Sequence, residues 1–148
     1  MTELLLFLHI LLFAFSFAFT AGISILLGRV AATRDAKTIH AAFSAAKPLS
    51  MTGGIGWILT ALVGAGLAHA YGLDMATPWL VYSYIVFAVL ILTGFLLHRP
   101  WQAKIVAASA SGGGPELEAL LNAPQHRIAS GVSAASVLTL LYLMTARP

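Results

Sequence analysis

Apolar residues fill four long runs of this chain, and charged residues are confined to the segments between them. Leu4–Gly28, Pro48–Leu73, Met75–His98 and Ile128–Ala146 contain no Asp, Glu, Lys or Arg. Each run is about as long as the 17–25 residues that an α-helix needs to cross a hydrocarbon core of roughly 30 Å. None alternates polar and apolar positions as the strands of a membrane barrel do. In lipid the backbone must then be satisfied within helices. The pattern predicts an all-α membrane protein: an antiparallel four-transmembrane-helix bundle spanning about residues 4–28, 48–72, 76–98 and 127–146. These spans and their connections use nearly all 148 residues, so one integral membrane domain is expected.

The first run carries Glu3 and no cation before it, and it is longer than the apolar core of a signal peptide. It is therefore expected to remain as helix 1. His9, Ser16, Thr20 and Ser24 fall within about a third of its circumference, and this narrow polar seam should face the bundle. In helix 2, Gly56, Thr60, Gly64 and Ala68 recur every fourth residue. Small residues at that spacing let helices approach closely in lipid, so a packing face is the expected role. The same role is expected for Ser130, Gly131, Ser133, Ala134, Ala135 and Ser136 of helix 4.

The connections carry their own signals. In Arg29–Lys47, Ile39, Ala42, Phe43 and Ala46 recur at helical spacing, with Thr33 as a plausible N-cap. This predicts a cytoplasmic interfacial helix between helices 1 and 2, ending at Lys47-Pro48, with Pro48 in the first turn of helix 2. Gly72–Pro78 is short enough to make helices 2 and 3 a hairpin. Tyr71, Trp79, Tyr82 and Tyr84 beside it suit the membrane interface. Trp101–Ala110 is expected to prolong helix 3. Ser111–Gly114 then breaks the chain, and Pro115 opens a short helix with Glu116 and Glu118 near its positive end.

Charge sets the expected orientation. Seven of the eight Lys and Arg residues, Arg29, Arg34, Lys37, Lys47, Arg99, Lys104 and Arg127, lie in the first and third connections. The positive-inside rule then puts those connections in the cytoplasm and both termini outside, periplasmic or extracellular. The net charge of +3 is taken up by topology, so no nucleic-acid partner is expected. The expected partners are the lipid bilayer, other membrane subunits or further copies of the chain.

Candidate chemistry narrows quickly. Without Cys there is no thiolate metal site or cysteine nucleophile. No carboxylate or Lys lies inside a span, which disfavours ion-driven transport. Histidine remains. His9 and His69 lie inside spans near the outer face, at depths that would let both reach one haem iron or copper ion. His40, His98 and His126 form a second group at the cytoplasmic boundary. An imidazole satisfied by neighbouring hydroxyls is the competing account of His9.

Several short motifs point to a family. Leu8-His9-Ile10, Ala21-Gly22, the basic connection after Arg29, Pro78-Trp79-Leu80 and the terminal Leu143–Pro148 make the chain resemble a bacterial four-helix integral membrane family, domain of unknown function 2269. That family is similar, at a distance, to the copper-resistance protein CopD and the haem-binding oxidase HemJ. The resemblance implies a bacterial inner-membrane protein with haem b as the first candidate cofactor and copper as the second. In HemJ-like relatives a His of helix 1 and a Lys of helix 3 are associated with haem. His9 matches the first, whereas Met75–Leu97 has no Lys or Arg to match the second. The Trp and paired Gly of those relatives are also replaced in helix 1. Two functions stand side by side: a haem- or copper-associated protein using His9 and His69, and a non-catalytic accessory subunit of a larger membrane complex. An enzyme with an intramembrane acid or base ranks third, since only His could serve.

Overall fold

A computed structural model describes residues 1–146. Arg147 and Pro148, including the one cation expected at the outer end, lie outside the described residues. The described chain is helical throughout: α1 (Thr2–Ala32), α2 (Ala36–Ala70), α3 (Pro78–Thr93), a π-helical turn (Gly94–His98), α4 (Arg99–Ala110), α5 (Pro115–Asn122) and α6 (Pro124–Ala146). Because the π-turn joins α3 to α4 without a break, four rods are long and apolar enough to cross a membrane: Thr2–Ala32, Ala36–Ala70, Pro78–Ala110 and Pro115–Ala146.

The contacts give the antiparallel order. His9 meets Gly64, Ser16 meets Gly56 and Thr20 meets Gly53, so α1 and α2 run in opposite directions. Trp57 of α2 meets Phe87 of α3, and Phe43 meets Trp101 of α4. His98 contacts His126 and Ser133, turning α6 back along α3. The small-residue spacing of α2 thus serves the purpose read from it. A β-carbon on Gly56 would collide with Ser16 Oγ, and one on Gly53 would lie 3.0 Å from Thr20 Cγ2. His9, Ser16 and Thr20 of the polar seam face α2; Ser24 is exposed. On α6 the expectation holds for Ser136, which is buried, while Gly131, Ala134 and Ala135 face outward.

Midway along the bundle all four rods meet around Trp57. Phe13 of α1 packs edge-on to its indole at 5.4 Å and Phe87 at 6.0 Å, with Leu90, Val137 and Leu140 completing the cluster. Trp57 Nε1 donates to Thr20 Oγ1 at 3.4 Å.

The interfacial helix between helices 1 and 2 is not a separate element. The turn after α1 is only Thr33–Asp35, with Arg34 in the left-handed region at φ 58°. Asp35, not Thr33, caps α2, accepting from the Thr38 N–H at 2.9 Å; Thr33 closes α1 by donating to the Val30 carbonyl. From Ala36 the helix runs straight through Pro48. An internal proline costs about 3 kcal/mol through a lost hydrogen bond and a clash. Here packing on both sides of it offsets that cost. Ile39, Phe43 and Ala46, the positions whose spacing suggested a helix, are buried against Trp101, Ile105, Ala108 and Leu117 rather than against lipid headgroups. Full burial of Ile39 and Phe43 contributes about 1.5–3 kcal/mol each.

The basic ends of α1, α2 and α4 therefore join α5 in a compact cap. α4 continues α3 as expected. Gly112, Gly113 and Gly114 all have positive φ and make the break, and Pro115 starts α5 with Glu116 and Glu118 in its first turn. Arg34 ties the cap together through an ion pair with Glu118 and a 2.9 Å hydrogen bond to Asn122 Oδ1.

Candidate functional site

His9 is held by α2. Its Nδ1 lies 3.0 Å from the Thr60 carbonyl oxygen, an atom that only accepts, so Nδ1 carries the proton and Nε2 keeps its lone pair. Thr60 is positioned in turn by its hydroxyl, which donates to the Gly56 carbonyl at 2.8 Å. The ring leans on Gly64. A β-carbon there would meet Cε1 at 2.7 Å, Nδ1 at 3.0 Å and Nε2 at 3.6 Å, so of the three Nε2 lies farthest from that notch. Residue 64 must be glycine for this approach. The side chain is half-buried. Of the two roles weighed for His9, hydroxyl satisfaction is replaced: the partner is a backbone carbonyl. This is how ligating histidines are commonly fixed, with one N–H on a carbonyl and the other nitrogen presented outward.

His69 lies exposed in the last turn of α2, and its ring makes no hydrogen bond among the described residues. Nor do any three His, Cys, Asp or Glu side chains among them gather closely enough to hold a metal ion.

The aromatic residues beside the α2–α3 turn are placed as interface anchors would be. Tyr71 and Tyr82 are exposed, and the Tyr84 hydroxyl donates to Met75 Sδ at 3.5 Å.

The three remaining histidines divide. His40 donates from Nδ1 to the Val106 carbonyl at 3.2 Å, with Ser109 Oγ at 3.4 Å, and so pins α2 to α4. His98 and His126 come together, ring centres 5.8 Å apart and nearly perpendicular. Trp101 stacks flat on His126 at 3.9 Å and donates from Nε1 to the Leu120 carbonyl at 3.1 Å. His98 Nε2 lies 3.3 Å from Ser133 Oγ. His126 Nδ1 is buried without a hydrogen-bond partner. A buried nitrogen left unpaired costs about 1–3 kcal/mol.

The expected second group of three histidines thus resolves into a pinned His40 and a close His98–His126 pair. Trp101 was legible only as part of a helix. The signal for its role was present, since Trp101, Ile105 and Ala108 repeat the spacing of Ile39, Phe43 and Ala46.

No curated protein and no solved structure matches the chain. The matching family is described as "Predicted integral membrane protein (DUF2269)" and covers residues 3–148. Four apolar rods joined by short turns agree with that description. The chain belongs to the DUF2269 family of integral membrane proteins.

Proposed function

We propose that this membrane protein binds haem through His9, with copper as the second candidate and His69 as the further ligand for either. The observation that carries the proposal is the 3.0 Å bond from His9 Nδ1 to the Thr60 carbonyl, which fixes the tautomer and leaves Nε2 to ligate. The resemblance to HemJ and CopD read from the sequence motifs points the same way for His9, without the helix-3 Lys of those relatives. The proposal includes the orientation from the cation bias: basic cap in the cytoplasm of a bacterium, both termini outside the inner membrane, and His9 toward the outer face.

The test is expression with ample haem supply, purification in mild detergent, and visible spectroscopy with metal analysis. A stoichiometric Soret band that is lost in His9→Ala is the expected result. Purified protein free of both haem and copper, accompanied by other membrane subunits, would overturn it. That result would establish the accessory-subunit function, which the outward-facing Gly131, Ala134 and Ala135 of α6 favour. A C-terminal reporter active only outside the cytoplasm checks the orientation.

A further inference from the structure

The basic end of the bundle contains an arrangement that neither topology nor the His9 site uses. His98 sits at the end of the π-turn Gly94–His98, and His126 sits in the first turn of α6. A π-turn inserts an extra residue into the helix and is found preferentially where a side chain must be re-aimed for a task. Here it delivers His98 to α6, where His126 and Ser133 meet it.

We propose that His98 and His126 together hold a divalent transition-metal ion of the imidazole-binding class, zinc or copper. Two imidazoles on one tetrahedral ion, with nitrogens about 2.0–2.1 Å from the metal, place their ring centres roughly 5–6 Å apart. The observed separation is 5.8 Å. Nδ1 of His126 is buried without a partner, so an ion would supply what the fold leaves missing. His98 engages Ser133 through Nε2, and Nδ1 is its remaining donor. Ser133 holds the His98 ring from its Nε2 side, and water is available for the other positions on the ion.

Rigidity supports the assignment. Trp101 lies flat on His126 at 3.9 Å and is itself anchored to the Leu120 carbonyl, so the ring is held before any ion arrives. Neither imidazole has a carboxylate partner among the described residues that would favour its protonated, non-ligating form. Arg99, next to His98 in the chain, is drawn aside: its guanidinium lies over the Phe95 ring, 4.9 Å from its centre. Two neutral imidazoles suit zinc and copper and not the hard cations, which prefer oxygen.

This site is independent of His9, and its test keeps the two apart. Full-length protein in mild detergent, stripped by a chelator, is titrated with Cu(II) and followed by electron paramagnetic resonance, with Zn(II) as competitor. One equivalent is expected, with nitrogen hyperfine structure from two imidazoles, and with quenching of Trp fluorescence that disappears in Trp101→Phe. His98→Gln and His126→Gln should each weaken binding of the two-imidazole ion at least tenfold. A spectrum of the wild-type protein without two-nitrogen coupling would overturn the proposal, whether or not the variants fold. So would unchanged affinity in the double variant, which would assign the ion to adventitious surface sites.

Discussion

At the basic end, Ile39 and Ile105 are 0% exposed, and Phe43, Trp101 and Leu117 close around them. Toward the opposite end, α1 rests on α2 through His9, Ser16, Thr20 and three glycines, Gly53, Gly56 and Gly64, while Leu62 and Leu138 remain more than 60% exposed. The difference follows from the solvent. A leucine facing lipid gains nothing by turning inward, so helices there associate through small residues and close backbone approach. The cap lies beyond the apolar runs, where burial away from water is favourable. α1 alone, 31 residues long, reaches about 46 Å at 1.5 Å per residue, well past a core of roughly 30 Å. The histidines follow the same division. His9 is fixed by a backbone carbonyl in a glycine notch, and His126 by an indole face in an aromatic core.

That contrast can be broken most severely at Trp101. Trp101→Ala removes the stack on His126, the edge contact with Phe43 and the bond to Leu120, and should cost about 3–5 kcal/mol, read from thermal or denaturant unfolding in detergent. A loss no larger than that of an exposed Leu62→Ala would deny the cap its core. Ile39→Ala is next, at about 2–4 kcal/mol, with the loss confined to the cap in hydrogen exchange. At the other end, Gly64→Ala drives a β-carbon to 2.7 Å from His9 Cε1. A cost of about 1–3 kcal/mol is expected, with a shifted haem spectrum if His9 ligates.

The smallest effect belongs to Asp35→Ala at the start of α2, a slight fall in Tm. Its carboxyl is held below the ordinary Asp value of 3.8, first by the Thr38 hydroxyl and then by backbone N–H groups. A depressed carboxyl stabilises the fold fully above that ordinary value and loses its contribution as pH falls through the lower folded one. The difference between wild type and variant should accordingly be constant at neutral pH, begin to shrink as pH falls below about 4, and vanish only below the lowered folded value.

Much of this was legible because spans, glycine breaks and helix caps are local. The four apolar runs, the Gly112–Gly114 break, the Pro115 start and the inward seam of His9, Ser16 and Thr20 all follow from composition and a period of 3.6. The continuous α2 was not legible. Pro48 obeys a local rule, and the packing that overrides it comes from residues more than fifty positions away, Trp101 and Ile105. The His98–His126 pair was hidden for a related reason. Its partners sit on different rods, and only the π-turn and the α5 return bring them together. His9 was visible as a candidate, but its tautomer depended on the Thr60 carbonyl, which no residue type announces.

The central claim is that His9, locked by Thr60 and Gly64, presents Nε2 to a haem iron. Ferric haem titrated into the purified apo-protein in lipid nanodiscs tests it most directly. The account predicts a Soret shift saturating at one equivalent in the wild type and none in His9→Ala. Equal titration curves for the two proteins, or no shift in either, would contradict it.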